Sequence, residues 1–271
     1  MSKPLFSALA SVYIKERAEY LDAALKSLYI QTCPATEVVL VHDGVLSQEL
    51  YECINKWQKK LPIVEVKLPQ NKGLGCALNE GLKHCSYELV ARFDTDDINH
   101  PERFEQQLNA FTSDPDLVLL SADVEEFNYQ IGDINSLRIL PHTNNEIKKQ
   151  ARSRNPFNHM AIMFKKSNVL YVGGYKHLHF LEDYYLWLRL LAQNYKAQNL
   201  ACVLVSARIG NGMHARRRGI SYLKSEIQLY KIKKALKITG YIDGLVFLCL
   251  RGASRLMPVG MLRGVYKLLR N

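Results

Sequence analysis

The stretch that decides the fold is residues 87–97, YELVARFDTDD, in which an apolar run ends in three carboxylates. Asp94 and Asp96 are two positions apart, so their side chains share one face of an extended segment. Neighbouring carboxylates repel each other unless a cation lies between them, and Mg2+ and Mn2+ prefer such oxygen ligands. Because α/β sheets bind ligands at the carboxyl ends of their strands, the stretch predicts a metal site at the end of a buried strand.

An acidic turn that only caps the next helix is the alternative interpretation of these residues. In that case Asp97 or Asn99 is the N-cap of a helix that starts near Pro101. A calcium loop of the EF-hand type is excluded, because Ile98 and Asn99 stand where that loop needs an oxygen ligand and then glycine. The cation site and the helix cap both stay open at this point.

Short strand patterns and helix patterns alternate along the chain. Runs of apolar and β-branched residues predict strands over 7–13, 37–42, 64–68 and 116–121. Apolar residues at helical spacing predict helices over 16–29, 50–60, 75–85 and 101–111, and another that begins near 181. This alternation implies an α/β domain with a doubly wound, mostly parallel central sheet that is flanked by helices.

Polar and glycine residues follow the second and third predicted strands. Asp43 follows the second strand, and Gly73 and Gly75 follow the third. These glycines either bring backbone N–H groups and a helix N-terminus close to a phosphate, or only form a tight turn. The dinucleotide-binding fingerprint fails at Leu78, and the chain has no Gly-Lys-Ser/Thr phosphate loop.

The first turn of the helix that begins near 181 carries two more carboxylates, Glu182 and Asp183. One interpretation is that they complement the positive end of the helix dipole. The other is that one of them acts as a general base at the rim of a cleft.

The positive charge of the chain is concentrated in its C-terminal quarter. The 271 residues carry a net charge of +10, and residues 206–271 hold 14 Lys and Arg against two acidic side chains. Basic and apolar residues interleave over 221–237 and 261–270, which predicts basic amphipathic helices that dock on an anionic membrane surface. The alternative is that these helices pack on the core and expose their lysines to water.

Composition argues against several other classes of protein. Six cysteines without a C-x-x-C pair indicate reduced thiols, and we expect neither a signal peptide nor a membrane span. The expected location is therefore the cytoplasm, and the basic tail predicts a peripheral position on an anionic membrane surface. Nucleic-acid binding is disfavoured because no helix-turn-helix, RRM or zinc pattern is present. A metal-dependent nucleotidyltransferase, which also uses strand-end carboxylates, stays open.

Six motifs together resemble a known family of enzymes. In order they are SALASVY, VHDG, NKGLGCALNEGL, ARFDTDD, LEDYYLWLRL and MHARRRG. This combination resembles inverting bacterial glycosyltransferases of family 2, which have the GT-A fold. The resemblance implies a nucleotide-sugar-binding and catalytic domain over 1–218, followed by a basic helical tail over 219–271.

The resemblance is nearest to enzymes of O-antigen (lipopolysaccharide) and capsule assembly. Such enzymes add a β-1,3-linked glucose or galactose to GlcNAc or GalNAc on a polyprenyl diphosphate. The implied donor is a UDP-sugar, the implied acceptor is a lipid-diphosphate-linked sugar, and the implied cofactor is Mn2+ or Mg2+.

The resemblance also implies a role for each matching residue. Those expected to bind the nucleotide sugar are Val12, Tyr13, Asp43, Asn71, Gly73, Arg92, Asp94 and Arg216. Those expected to bind the metal are Asp96, Asp94 and His214. Asp183 is expected to deprotonate the acceptor hydroxyl, with Glu182 beside it and His159 lining the acceptor pocket.

Two positions depart from the family pattern. His42 precedes Asp43 where many members have two consecutive aspartates. His214 stands before the arginines 216–218, and it either completes the metal coordination or has a structural role. The arginines either clamp a diphosphate or form a solvated face.

Overall fold

Strands and helices alternate along the chain as the hydrophobic pattern predicts. The computed structural model describes residues 4–209 and 220–256. The strands are β1 (Phe6–Val12), β2 (Glu37–His42), β3 (Ile63–Lys67), β4 (Leu89–Arg92), β5 (Ile98–Asn99), β6 (Leu117–Phe127), β7 (Ser136–Arg138), β8 (Met163–Lys165) and β9 (Lys196–Arg208). The helices are α1 (Ala18–Tyr29), α2 (Gln48–Gln58), α3 (Leu74–His84), α4 (Arg103–Ser113), α5 (Asn144–Gln150), α6 (Lys166–Tyr171), α7 (Glu182–Ala192), α8 (Ile220–Ala235) and α9 (Tyr241–Leu256). A short 3-10 helix spans His159–Ala161.

The strands of the described chain form one nine-stranded sheet in the order β3-β2-β1-β4-β8-β6-β9-β5, with β7 paired to β6. Strands β1 to β4 are parallel, and β6 is parallel to β9. Strand β8 is antiparallel to both of its neighbours, β4 and β6. The predicted α/β sheet flanked by helices is therefore confirmed, but the sheet is mixed in its second half.

The central strands are buried on both faces because helices cover both sides of the sheet. Alternate residues of β1 and β2 enter different cores: Leu9 and Val39 pack with α3 and α7, whereas Ala10 and Val38 pack with α1, α2 and α4. Trp187 of α7 is wholly buried in the first of these cores. Such two-sided burial explains why these strands are nearly continuous apolar runs.

The topology brings one end of several strands to the same edge of the sheet. The parallel strands β1, β2 and β4 all end there, at Val12, His42 and Arg92. Since β8 is antiparallel to β4, it begins at that edge, and the N–H of Arg92 donates to the carbonyl of Ile162 at 2.9 Å. Residues that precede β8 therefore lie beside the acidic stretch.

Two long strands differ from the sequence prediction. β6 continues to Phe127, beyond the predicted end at residue 121, and β9 was not predicted. The extension of β6 contains three acidic residues, and the two that are buried have partners: Glu126 pairs with Arg138, and Asp123 accepts the N–H of Leu140 at 2.8 Å. A strand cannot be predicted from alternating apolar residues where such buried polar pairs take the place of apolar side chains.

The two C-terminal helices of the described chain differ in their packing. Tyr222 and Leu229 of α8 belong to the same core cluster as Trp187, and Lys233 of α8 is also buried. This packing matches the alternative interpretation of the helix predicted over 221–237. Helix α9 packs on α8 and exposes several apolar side chains; the helix predicted over 261–270 lies outside the described residues. Within the described ranges, no helix is both long enough and apolar enough to span a bilayer.

Candidate active site

Three aspartates follow β4, and their carboxylates form one cluster. Asp94, Asp96 and Asp97 each place an oxygen within 4.8 Å of the others. Arg92, the last residue of β4, is buried and donates two hydrogen bonds to the carboxylate of Asp94. This bidentate pair fixes Asp94 at the edge of the sheet. The sequence prediction that these aspartates lie together at a strand end is consistent with this geometry.

The predicted N-cap role of Asp97 or Asn99 is wrong. The N-cap of α4 is Glu102, whose side chain makes no cap hydrogen bond. Asp97 is buried and accepts the N–H of Arg208, at the end of β9, with 2.7 Å between N and Oδ1. The amide of Asn99 accepts from Arg103 and donates to Ser27, so both candidate caps are already used in tertiary contacts.

Two carboxylates of this cluster, Asp96 and Asp97, have raised pKa values. Burial, with the negative charges of Asp94 and Glu16, raises the pKa of Asp96 to about 7. Burial and the charges of Asp94 and Asp96 also raise the pKa of Asp97 well above its ordinary value. Carboxylates arranged in this way favour either a proton or a cation between them.

The donor set fits Mg2+ or Mn2+. Both ions prefer carboxylate oxygen, and the cluster offers three carboxylates from one short loop. Asp94 spends an oxygen lone pair on each hydrogen bond from Arg92, and Asp97 spends one on Arg208. The Asp96 carboxylate is hydrogen-bonded by its own backbone N–H, and Arg208 Nε donates to the carbonyl of Asp96 at 3.2 Å and not to its carboxylate.

Asp43 ties the end of β2 to the start of α3. Its two carboxylate oxygens accept the backbone N–H groups of Lys72 at 2.6 Å and Gly73 at 2.9 Å. The Asn71 amide donates to the carbonyl of Asp43 at 3.3 Å. A Cβ at Gly44, where φ is 90°, would lie only 2.8 Å from the Asn71 nitrogen. The close approach of these two loops therefore depends on Gly44.

The end of β1 lies beside this pair of loops. The carbonyl of Val12 accepts the N–H of Asp43 at 2.8 Å, and the side chain of Val12 is wholly buried. Tyr13 is 38% exposed, so of these two residues only Tyr13 presents a side chain to a ligand. His42 is buried with its Nε2 3.1 Å from a Glu65 oxygen, and burial lowers its pKa.

Two carboxylates begin α7 on the other side of the site. The amide of Asn155 donates to Asp183, with 2.7 Å between Nδ2 and Oδ2, and this orients the carboxylate. Burial, followed by the charge of Asp183, raises the pKa of Glu182. A Cβ added at Gly75 would lie 3.5 Å from Cγ of Glu182, so the first turn of α3 contacts the first turn of α7. The loop predicted to bind the nucleotide and the carboxylates predicted to act on the acceptor are therefore neighbours.

A half-buried histidine and a tyrosine connect the two carboxylate groups. His159 Nε2 lies 2.9 Å from the hydroxyl oxygen of Tyr175. Burial and the positive charge of Arg92 hold the pKa of His159 well below its ordinary value, so this imidazole is neutral near neutral pH. Burial raises the pKa of Tyr175, and the charges of Asp183 and Asp94 act in the same direction. Tyr175 therefore lies within electrostatic reach of both predicted functional aspartates.

Sequence reasoning missed several residues that support the site. Thr95 donates to Glu16 at 2.7 Å, which brings a fourth carboxylate near the cluster. The guanidinium of Arg208 lies 4.0 Å from the ring centroid of Tyr20 and 4.4 Å from that of Phe127. Glu16 follows the first strand closely, as Asp43 follows the second. Its position could therefore have predicted that Glu16 lies near the site. Arg208 gave no signal because β9 was not predicted.

Two of the predicted site residues, His214 and Arg216, lie outside the described residues. Arg208 ends β9 shortly before them in the sequence.

Comparison with known proteins identifies the family. The family model for glycosyl transferase family 2 matches residues 10–170, more than half of the chain. That segment contains Asp43, the three aspartates after β4 and His159. The chain belongs to glycosyl transferase family 2.

Two relatives of this family 2 enzyme match it over nearly their whole length. The amylovoran biosynthesis glycosyltransferase AmsE of Erwinia amylovora is 46% identical, over 97% of this chain and 98% of the relative. A UDP-Gal:alpha-D-GlcNAc-diphosphoundecaprenol beta-1,3-galactosyltransferase of Escherichia coli is 40% identical, over 97% of this chain and 96% of the relative. The predicted family and the predicted glycosyltransferase activity are confirmed. The nucleotidyltransferase activity that the sequence alone left open is therefore disfavoured.

A solved structure supports the fold. Mannosyltransferase PcManGT from Pyrobaculum calidifontis, in complex with GDP-Man and Mn2+, superposes with a TM-score of 0.63 at 18% identity and covers 99% of this chain and 81% of its own. A likeness at this identity concerns the fold alone, and it confirms the GT-A-like α/β architecture.

Proposed function

We propose that this enzyme transfers galactose from UDP-galactose to a hydroxyl of GlcNAc carried on a polyprenyl diphosphate, in the assembly of a surface polysaccharide. The observation that carries the proposal is the 40% identity, over 97% of the chain, to a relative whose name states this reaction. From the sequence, glucose as donor sugar and GalNAc as acceptor sugar remained open. Galactose and GlcNAc are now favoured because the relative's name specifies them.

The donor occupies the edge formed by the ends of β1, β2 and β4. Tyr13, Asp43 and the loop at Asn71 and Gly73 surround the nucleotide, with Val12 contributing backbone only. Both oxygens of Asp43 already accept backbone N–H groups, yet a carboxylate offers about four lone-pair directions, so it can accept one more donor from a base. Arg92 acts through Asp94, which it holds against the ribose or the metal.

Asp96 would hold Mn2+ or Mg2+, with Asp94 and Asp97 completing the carboxylate set. When bound, the ion offsets the negative charge that develops on the departing diphosphate. His214 and Arg216 remain further candidates, for the metal and the diphosphate respectively. Positive charge near the leaving group stabilises the transition state more than the ground state, which is the condition for a faster reaction.

Asp183 is the general base. The hydroxyl of the acceptor is a weak nucleophile at neutral pH, so a carboxylate within hydrogen-bond reach must take its proton. As the proton moves to Asp183, the acceptor oxygen forms a bond to the anomeric carbon, and the bond from that carbon to the UDP oxygen breaks with its electron pair leaving on UDP. Asn155 holds Asp183 in place for this step. Glu182 and His159 line the acceptor side.

A single displacement of this kind inverts the anomeric carbon. It needs one carboxylate at the acceptor, whereas a retaining double displacement in the manner of hydrolases needs two that flank the sugar at about 5 Å. An α-linked UDP-sugar therefore yields a β-linked product.

The C-terminal helices dock the enzyme on the cytoplasmic face of the plasma membrane. Ile242, Leu245 and Val246 of α9 are exposed, at positions that share one helix face. Lys231, Lys234 and other basic residues of the tail supply attraction to anionic headgroups. Vesicle co-sedimentation tests this part: replacing the three apolar residues by serine should release the enzyme from anionic vesicles, and undiminished binding contradicts it.

A donor panel tests the main proposal. Purified enzyme and Mn2+ are incubated with a synthetic GlcNAc-diphosphate-lipid and, in parallel, UDP-galactose, UDP-glucose, UDP-GlcNAc and GDP-mannose. We expect a disaccharide-lipid from UDP-galactose, with release of UDP. A product formed only from a donor that lacks UDP would overturn the assignment, and release of pyrophosphate from a nucleoside triphosphate would indicate a nucleotidyltransferase instead.

A further inference from the structure

A large cavity lies outside the donor edge, between the segment that leads into and follows α5 and the C-terminal helix α9. Its volume is about 850 Å³, within the range of pockets that hold small organic ligands. Neither the predicted donor residues nor the three aspartates line it. The residues proposed to bind the donor and the metal therefore give this cavity no role.

One wall of the cavity is basic. Lys149, Arg152 and Arg154 line it, and all three are exposed. None of these three side chains forms an ion pair with a residue in the described ranges. Two acidic residues, Glu146 and Asp243, also line the cavity, against three basic ones. Glu146 belongs to the capping box of α5, where its Oε2 accepts from Thr143 at 2.8 Å. The wall therefore presents an excess of positive charge to a ligand, and Arg in particular binds phosphate in a bidentate manner.

The rest of the lining combines polar side chains with four apolar ones. Ile139 and Pro141 form one side, and Phe247 of α9 the other. Ile139 is 66% exposed, so its side chain adds apolar surface to the wall of the cavity. On α9, Asp243 and Phe247 face the cavity at a spacing of four residues, while Leu245 and Val246 are exposed. Apolar surface thus continues from the cavity onto the outside of α9.

The basic wall lies next to the acceptor side of the active site. Arg154 immediately precedes Asn155, and Asn155 donates to Asp183 at 2.7 Å. Consecutive residues are about 3.8 Å apart, so the rim of the cavity lies next to the residue that holds the proposed base. A ligand that spans both places must carry a reactive hydroxyl at one end, negative charge next to it, and an apolar chain beyond.

We infer that this cavity binds the isoprenyl diphosphate end of the acceptor. The diphosphate contacts Lys149, Arg152 and Arg154, the first isoprenyl units lie against Ile139, Pro141 and Phe247, and the chain leaves along the exposed face of α9 toward the bilayer. The acceptor sugar then extends past Asn155, with its hydroxyl at Asp183. This inference rests on the proposed function and adds the residues that select a lipid-diphosphate acceptor over a free sugar.

Kinetics with matched variants test the inference. The cavity variant is K149Q/R152Q/R154Q; the control, K26Q/K59Q/K83Q, removes the same charge from exposed lysines on α1, after α2 and on α3. The cavity variant should raise KM for the GlcNAc-diphosphate-lipid by about tenfold or more, because each hydrogen bond to a charged group contributes a factor of this order. KM for UDP-galactose should stay at the wild-type value in both variants. An unchanged acceptor KM in the cavity variant would overturn the inference.

A binding measurement separates this inference from the proposed function. Titration calorimetry with farnesyl diphosphate in EDTA needs neither donor nor turnover. We expect binding by the wild type and the control, weaker binding of inorganic pyrophosphate, and loss of farnesyl diphosphate binding in the cavity variant. If these hold but UDP-galactose yields no product, the proposed function fails and the cavity assignment stands. Absence of binding by the wild type would contradict the assignment. Displacement of farnesyl diphosphate by phosphatidylglycerol vesicles would also contradict it, because it would show that the cavity binds a membrane headgroup.

Discussion

At the scale of single residues, the account depends most on Asp183. Its carboxylate is held by Asn155, and Tyr175 lies within electrostatic reach of both Asp183 and Asp94. Asp183→Asn keeps the shape but cannot accept the proton, so we expect kcat to fall by about 10²–10⁴. UDP affinity, measured by calorimetry with Mn2+, should be unchanged. Asp116→Asn, at an exposed position, is the matched control and should behave as wild type; substantial turnover by Asp183→Asn would show that another group is the base.

If Asp96 is a metal ligand as proposed, we expect metal binding to depend on pH. Its pKa of about 7 lies above the ordinary value of 3.8, so without metal the folded state retains the proton and loses stability as pH rises toward 7. A cation must displace that proton, so the rise in Tm caused by Mn2+ should be larger at about pH 8 than at about pH 5.5. Asp96→Asn should be more stable than wild type at the higher pH without metal and should gain little from Mn2+. An equal Mn2+ effect at both pH values would contradict this.

How much of the site the sequence predicts also depends on individual residues. Asp43, Asp94 and Asp96 stand directly after apolar runs, so strand ends could be inferred and their proximity followed from parallel topology. Asn155 and Tyr175 could not be inferred, because they lie in loops without periodicity and reach the site through tertiary contacts.

At the scale of elements, the junction between the β2 and α3 loops is the most constrained part of the donor edge. Gly44 has a φ of 90°, and a Cβ there would lie 2.8 Å from the Asn71 nitrogen. Gly132 has a similar φ of 87° but open space around it, so it is a matched control for backbone strain alone. Gly132→Ala should lower the free energy of unfolding by about 1–2 kcal/mol.

Gly44→Ala causes the same backbone strain and also a steric clash. The clash should lower the free energy of unfolding by about 1–3 kcal/mol more. It should also weaken UDP binding, because the loop at Asn71 must move. Urea unfolding and UDP titration measure the two effects. Equal destabilisation by the two alanine substitutions would show that the close approach is not a constraint.

The elements themselves show where hydrophobic pattern succeeds and where it fails. β2 was predicted with its observed bounds because all six of its residues are buried and the run is β-branched. The end of β6 was missed because Glu126, buried against Arg138, breaks the apolar alternation. Pairing between distant polar groups is a tertiary effect that a local pattern does not record.

At the scale of the whole molecule, α8 connects the C-terminal helices to the catalytic core. Lys233 is buried, donates to the carbonyl of Arg152 at 3.0 Å and lies 4.6 Å from the ring centroid of Tyr184. Lys233→Ala should lower the free energy of unfolding by about 2–3 kcal/mol, from the lost hydrogen bond and cation–π contact. Lys231→Ala removes an exposed lysine from the same helix and should have little effect. Similar thermal unfolding of the two variants would show that α8 does not depend on this contact.

The same helix explains why the charge pattern of the tail was only a partial guide. Basic and apolar residues interleave over α8, but one lysine is buried with the apolar face instead of facing anionic headgroups. Burial of a lysine needs particular partners, here Arg152 and Tyr184 from other elements, and these are not visible from the tail sequence.

The organisation of the whole molecule converges on the ARFDTDD stretch. Its aspartates follow β4, and Tyr175 lies within electrostatic reach of both Asp94 and Asp183 of α7. The proposed mechanism is a single displacement at this site with Asp183 as base. The stereochemistry of the product is its most direct test. Proton NMR of the disaccharide-lipid formed from UDP-α-galactose should show a β-linked galactose and thus inversion. An α-linked product would mean that the configuration is retained and would contradict the single-displacement mechanism.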